Sequence, residues 1–380
     1  MAADGLDPVT ERVTLPFRWD KRFPGRSGRA RFRIEMSLPE VSQPWAVYIA
    51  HLGNQAEVRV NGQMLHALGS LGDSSSDARG PMWAALPINF TPGNALTVLE
   101  IETTAQAGRL ATLSAVNVGP ATLLRPMYDS YYRWRIDAPT LVTTVTLLLG
   151  LFSGVLWLAI RDTQFGLIAL GVALVAPRMI SYVVSAHPLP WPLWGAVSAM
   201  AYVFHDLVCY RLFLLIVDFR NRRLDQAIGW YSLVLATMAF AAFAGQWPIL
   251  WIIASGLLLS QRLVITYIVF RAAWLSRSAA SLLLSAALAG LLMAGLHDWF
   301  LFRFPAYGAT NTAVMPFAAL ALVLVLVWLS VQNYAVQTSR YRDLNLSLEQ
   351  RIAQREAELN ASHAQLKAQG EQAATLQERQ

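Results

Sequence analysis

Lysine is almost missing from this chain: its 380 residues contain only Lys21 and Lys367. That rules out a retinal pigment anywhere between them, because such a chromophore is held as a Schiff base on a lysine amine. Cysteine is scarcer still. Cys209 stands alone, so the chain forms no internal disulfide and offers no cluster of thiolate ligands. No Gly-rich phosphate loop, zinc-ligand spacing or nucleophile elbow occurs in the sequence, and neither a metal nor a bound cofactor is expected. Charge is sparse too, at 14% of residues against 55% hydrophobic. The net charge of +6 comes mostly from arginines in a few loops. It therefore reports topology rather than affinity for nucleic acid, which is not an expected partner.

What the chain has instead is seven long apolar segments, at 139–160, 164–187, 191–217, 227–246, 248–271, 279–302 and 313–335. Each approaches or exceeds the roughly 20 residues that a helix needs to cross a bilayer. Leu147 to Ile160 and Ala318 to Leu329 carry no charge at all, whereas helices of soluble proteins are rarely apolar all round for so long. A seven-helix bundle in a lipid bilayer is predicted over 139–337.

The arginines orient it. Arg161, the group Arg220, Arg222 and Arg223, the pair Arg271 and Arg277, and Arg340 with Arg342 fall on one side; the other side holds His187, Gln246, Trp247 and Arg303. The excess marks the cytoplasmic face and puts the C-terminus there. An odd number of spans then puts residues 1–135 outside, which means the periplasm for a bacterial inner-membrane protein. The run Tyr128, Tyr131, Tyr132, Arg133, Trp134, Arg135 is expected at the outer interface, in a juxtamembrane linker over 123–138. Met1-Ala2-Ala3-Asp4 leads into polar sequence without an apolar signal core. Either a leader has been removed from the chain or the first span carries its own N-terminal domain across.

Residues 1–122 read as all-β. Val13 to Phe17, Ala30 to Met36, Ala46 to His51, Ala56 to Val60, Leu96 to Glu102 and Thr112 to Val118 are strand-like runs. In Arg31-Phe32-Arg33-Ile34-Glu35-Met36 apolar and charged residues alternate. Asn61-Gly62 between Glu57-Val58-Arg59-Val60 and Gln63-Met64-Leu65 marks a type I′ hairpin. The set predicts a β-sandwich. The acidic residues of this part, such as Glu57 and Glu102, read as isolated polar-face positions, and no glycosidase pair of carboxylates can be picked out.

The order Leu15-Pro16-Phe17-Arg18-Trp19-Asp20, Phe23-Pro24-Gly25, Gly28-Arg29-Ala30-Arg31-Phe32, then Asn54 to Gly62 resembles the galactose-binding-like jelly roll over roughly residues 8–122. That resemblance implies a domain able to take a sugar or other small ligand, or a periplasmic partner. Trp45, Asn54, Arg79, Trp83 and the polar loop Gly69 to Gly80 are the candidate ligand residues. The alternative is that both tryptophans are core or interface aromatics and the loop carries no site.

Ionisable residues inside the spans are expensive and should face one another. They are Arg178, His205, Asp206, Arg262, His297 and Asp298. Counting from the span ends puts Arg178, Asp206 and Arg262 near mid-membrane, so an ion pair of Asp206 with Arg262 or Arg178 is expected. His297 and Asp298 should lie nearer the outer face. Such a network can fix helix packing, act as a bistable switch, or line an ion path.

The tail, 338–380, is rich in Ala, Gln, Glu, Leu and Arg, as a long helix should be. Ile352, Leu359, Leu366 and Ala373 repeat every seven residues, with Leu348 opening the second seam position. Arg355, Ser362 and Gln369 follow Leu348 in that seam, so a parallel dimeric coil would be marginal; a single solvated helix is the alternative.

Leu348-Glu349-Gln350-Arg351-Ile352-Ala353-Gln354-Arg355-Glu356-Ala357-Glu358-Leu359 resembles the linker helix after the last span of sensor histidine kinases. With the outer sandwich and seven spans, the architecture resembles the bacterial seven-helix receptors with diverse intracellular signalling modules. The resemblance implies a sensor of a two-component system. Its catalytic module would follow the tail, bind ATP and Mg, and pass phosphate to a response regulator. His363 has no acidic neighbour and is not expected to be the phospho-acceptor, so the chain by itself is expected to lack a catalytic core. The competing expectation is a transporter or channel-like protein with a carbohydrate-binding accessory domain, although no internal repeat is visible in the spans.

Overall fold

The computed structural model describes residues 1–38, 43–77, 80–87, 96–109, 111–303 and 313–377, excluding the side chains of 302–303, 364–369 and 371–377. Arg79 and the side chains of Leu366 and Ala373 thus lie outside the described residues. The chain forms two compact units, Met1–Val327 and Trp328–Gln380.

The first unit begins with an antiparallel five-stranded sheet ordered β1-β3-β8-β5-β6, made of β1 (Ala2–Ala3), β3 (Gly28–Met36), β8 (Thr97–Ala105), β5 (Gln55–Val60) and β6 (Gln63–Leu68). A three-stranded sheet has the order β10-β4-β7, from β4 (Trp45–Ile49), β7 (Met82–Ala85) and β10 (Val116–Pro120). A short pair, β2 (Phe17–Arg18) with β9 (Thr112–Leu113), and one helical turn, α1 (Trp19–Arg22), complete the domain. The alternation read in β3 holds. Ala30 and Phe32 are buried while Arg31 and Arg33 face out, and Arg31 reaches Glu102, its register partner on β8, at 3.0 Å. Asn61 and Gly62 have φ of 48° and 81°, the positive values that a type I′ hairpin requires. Phe32, Val58 and Ile101 of the larger sheet share one core with Val47, Ile49 and Met82 of the smaller.

The smaller sheet also buries its other face. Ala46 and Tyr48 pack with Trp83 against Leu124 and Tyr128 of α2 (Ala121–Tyr132). The linker expected over 123–138 is therefore helical. Through a π-helical turn, Arg133–Asp137, α2 continues into α3 (Ala138–Ile160). Tyr128 and Tyr131 serve as packing residues on the sheet domain, while Trp134 stays exposed as an interface residue should.

The other helices are α4 (Thr163–Ile180), α5 (Leu193–Ile216), α6 (Arg222–Ala244), α7 (Pro248–Ser276), α8 (Ala279–Arg303) and α9 (Met315–Gln377). Consecutive helices from α3 to α8 pack as neighbours. Asp162 and Asn221 cap α4 and α6 by accepting the N–H of Gln164 at 2.7 Å and of Leu224 at 3.1 Å. Among the described residues, seven helices are long and apolar enough to cross a membrane.

Their burial pattern agrees. Leu148, Phe152, Trp230, Val234, Val264 and Phe270 are exposed on the bundle, whereas Thr143, Thr146, Ser153, Ser198 and Ser232 are buried. A bundle apolar outside and small or polar inside is built for lipid. A Cβ on Gly150 of α3 would lie 2.6 Å from Cβ of Val172 on α4, so these two helices approach as closely as a glycine permits. The second span is shorter than expected. α4 stops at Ile180 rather than 187, ahead of Pro188, Pro190 and Pro192, which disfavour helix in the residues before them.

In the second unit α9 runs on to Gln377. Leu348, Ile352 and Leu359 are 45%, 58% and 60% exposed, so three expected seam residues present apolar side chains to solvent in the single chain.

Candidate functional site

Two buried polar clusters stand out in the first unit. The first joins the sheet domain to residues 181–192, the segment between α4 and α5. Asp77 N–H donates to the Ser185 carbonyl at 2.8 Å, His187 N–H to that of Ser75 at 2.9 Å and Trp191 N–H to that of Ser74 at 3.1 Å. Ser76 and Ala186 form an antiparallel bridge between these bonds. The proline-rich segment thus satisfies its backbone groups by pairing with the sheet domain instead of continuing α4.

Arg109, in the turn after β8, lies at the centre of this junction. Its guanidinium is 3.2 Å from Asp77 Oδ2, donates to His187 Nε2 at 2.7 Å and to the Ser76 carbonyl at 3.3 Å, and lies 4.4 Å over the Trp191 ring. Trp191 Nε1 donates to the Ala107 carbonyl at 2.6 Å. Arg109, Asp77 and His187 are all under 10% exposed, so the charges are both buried and paired, as burial demands.

The three candidate ligand residues that are described, Trp45, Asn54 and Trp83, do not converge. Asn54 belongs to this junction: it is buried, accepts from Gln106 N–H at 2.9 Å, and its Nδ2 lies 3.5 Å from Asp77 Oδ1. Trp45 packs against the sandwich core, whereas Trp83 lies on the opposite face of the same sheet, under Arg125 at 4.9 Å. Alternation along the strands separates them. Part of the polar loop Gly69 to Gly80 forms the docking strand. Glu57 and Glu102, register partners on β5 and β8, are each taken by an arginine at 3.0 Å, Arg59 and Arg31. Elsewhere in the sheet domain, Tyr131 of α2 shares a 2.6 Å hydrogen bond with His51 Nε2. Burial, with the charge of Arg135 second, lowers the His51 pKa to about 3.

The second cluster lies within the bundle. Arg262 of α7 meets Asp206 of α5 as a fork, with Nε 3.0 Å from Oδ2 and Nη2 2.9 Å from Oδ1; both are buried. Each residue sits near the middle of its helix. Nη2 also donates to the Tyr202 hydroxyl at 2.5 Å, and the Tyr210 hydroxyl donates to Asp206 Oδ2 at 3.3 Å. His205 stacks on Tyr202 and donates from Nδ1 to the Gly171 carbonyl at 2.8 Å.

Arg178 sits in the last turn of α4, nearer a helix end than counting placed it. Its guanidinium nonetheless turns onto the Tyr202 ring, 5.0 Å from the centroid, and Arg262 lies 5.2 Å from the same ring. His297 and Asp298 form a separate group. His297 Nδ1 donates to Asp298 at 2.9 Å, and Asp298 accepts the N–H of Val314 at 2.9 Å and of Met315 at 3.0 Å, capping α9 from α8. The two groups approach each other at Met315, whose sulfur lies 3.9 Å from Arg262 Nη1. A cavity of about 70 Å³ opens beside the ion pair, lined by Arg178, Tyr202, His205, Asp206 and Arg262 and otherwise mostly by apolar side chains.

Sequence reasoning identified the ionisable members of the bundle but missed Tyr202, Tyr210, Arg109 and Asp77. The tyrosines had a signal: Tyr202, Asp206 and Tyr210 are spaced by four and share one helix face. Arg109 and Asp77 had none, being loop residues whose partner lies far along the chain.

Fold and clusters together define a multi-pass membrane protein with an N-terminal β-sheet domain docked on its bundle. No family model and no curated protein matches the chain.

Proposed function

We propose that this chain is the receiving and transmitting part of a bacterial inner-membrane receptor of the two-component type. The sheet domain faces the periplasm and meets a small molecule such as a carbohydrate, or a protein partner. The bundle carries the change inward, and the tail pairs as a homodimeric coil that drives a histidine kinase module beyond this chain. ATP, Mg and a response regulator belong to that module.

The observation that carries this reading is the junction. Residues 74–77 of the sheet domain are paired backbone to backbone with the segment leading into α5, and α5 holds one half of the buried Asp206–Arg262 pair. A passive accessory domain has no need of a desolvated Arg–Asp–His contact with its carrier. A displacement of the sheet domain, in contrast, is delivered through that contact to a helix whose buried charges tolerate few arrangements, the property a switch needs. The exposed seam residues Leu348, Ile352 and Leu359 supply the apolar surface that a dimeric coil would bury.

The test is disulfide crosslinking in native membranes on a Cys209→Ala background, with single cysteines at Ile352, Leu359 and Leu366 and at the flanking Gln354. Efficient symmetric crosslinks at the first three and weak ones at Gln354 support the parallel coil. Uniformly poor crosslinking removes the transmitter and with it this reading.

A further inference from the structure

A larger cavity than the one in the bundle opens at the junction, about 280 Å³ between the sheet domain and the α4–α5 and α6–α7 loops. The strand register builds its floor. Arg29 on β3 and Gln55 on β5 both stand opposite Thr104 of β8, and Ala2 of β1 stands opposite Arg29. Residues in register share a face of the sheet, so one row crosses four strands. Asp4 lies two residues beyond Ala2, on the same face, and its N–H donates to the Ser27 carbonyl at 2.9 Å. Trp191, Pro192 and Gln246 line the cleft from the bundle side.

The floor is held by its own bonds. Gln55 is buried; its Oε1 accepts from the Thr104 hydroxyl at 2.8 Å and from Gly72 N–H at 3.0 Å, and its Nε2 donates to the Asp73 carbonyl. Trp191 is fixed by its backbone N–H on Ser74 and its Nε1 on Ala107. The rim differs. Asp4, Arg29 and Gln246 are exposed, and among the described residues their side chains have no ion-pair or hydrogen-bond partner. Diagonal neighbours on paired strands have Cβ atoms about 7–8 Å apart, within an arginine's reach. Arg29 nevertheless turns from Asp4 toward the loop after β6, where its Nη2 lies 3.3 Å from the place a Cβ on Gly72 would take. The cleft therefore keeps a cation and an anion apart, each open to solvent.

That pattern selects a ligand. An anion alone meets Asp4 and a cation alone meets Arg29, whereas a zwitterion satisfies both. The indole of Trp191 offers a sugar ring no clear platform: one face carries the Arg109 guanidinium at 4.4 Å, and the ring meets Phe243 edge to face. Size agrees with a small metabolite. A cavity of about 150 Å³ takes a benzene ring, and this one has nearly twice that volume. We propose that the cleft binds a free α-amino acid. Its carboxylate pairs with Arg29 through two parallel hydrogen bonds, its ammonium group with Asp4, and its side chain lies beside the Gln246 amide. Such a ligand bridges the sheet domain and two loops of the bundle. The proposal rests on the receptor reading, whose small molecule and site it names.

The experiment is isothermal titration of the full chain in nanodiscs with each of the twenty common amino acids. At least one should bind saturably, and its N-acetyl derivative and its α-carboxamide should bind at least tenfold more weakly. Arg29→Gln and Asp4→Asn should each weaken binding at least tenfold and leave the thermal unfolding transition in place, since both side chains are exposed. Crosslinking of a cysteine at Ile352 in native membranes, with and without the bound amino acid, keeps the two readings apart. Binding without any change in crosslinking retains the site and counts against the receptor. A crosslinked coil with no amino-acid binding retains the receptor and overturns the site. Binding unchanged in both variants, or binding of glucose or galactose in place of amino acids, also overturns the proposal.

Discussion

Arg109 donates from Nη2 to Nε2 of His187 across 2.7 Å, tying the turn after β8 to the segment between α4 and α5. The same guanidinium holds Asp77 and covers Trp191, so sheet domain and bundle meet through a buried, charged contact. The sheet domain also reaches the segment between α6 and α7: a Cβ on Gly25 would lie 3.6 Å from the Gln246 carbonyl. Two loops on the same side of the bundle are thereby fixed by one domain.

Asp206→Asn should destabilise the protein by about 3–5 kcal/mol, because it leaves Arg262 buried without its counter-charge. The double variant Asp206→Leu, Arg262→Met removes both charges and should recover most of that loss. Thermal unfolding in detergent checks both. A double variant no better than the single one would mean that the pair is not coupled as its geometry implies.

Acid should weaken the sheet domain through His51. Its folded pKa is lowered to about 3 from about 6.5 in the unfolded chain. Between those values the unfolded state binds the extra proton, so stability rises with pH and is lost as pH falls below 6.5. Wild type should lose up to about 2 kcal/mol more than His51→Gln between pH 6.5 and 5, at 1.36 kcal/mol per unit. Parallel unfolding curves at the two pH values measure the difference.

Gly150→Ala should force α3 away from α4, since the new methyl meets the branched side chain of Val172. A loss of about 1–3 kcal/mol is expected, largely restored by Val172→Ala, which removes the colliding methyls. Unfolding of the single and double variants in the same detergent tests this.

Much of the fold was legible in the sequence because lipid imposes a pattern that local composition carries. The starts of α3, α4, α7 and α8 fall within one residue of the predicted spans, and the hairpin at Asn61-Gly62 follows from backbone conformation alone. β7 was missed: Met82 to Ala85 is four residues long, too short to show a period. The linker over 123–138 was given no secondary structure from sequence; α2 is stabilised there by packing Leu124 and Tyr128 on a sheet face that no local pattern announces. In the bundle the Asp206–Arg262 pair was legible because any charge there demands a partner. The Arg109–Asp77–His187 contact was not, because polar loop residues carry no such obligation until a second domain buries them.

The most direct test of the coupling places the crosslinking cysteine at Ile352, on a Cys209→Ala background in native membranes, and compares Arg109 with Arg109→Ala. Hydrogen exchange at residues 185–191 should rise in the variant and confirm that the junction has loosened. The account predicts that the rate of the Ile352 crosslink then changes by severalfold while expression and the bundle's unfolding transition persist. An unchanged crosslinking rate with a demonstrably loosened junction would contradict it, and would leave the sheet domain a structural passenger on the bundle.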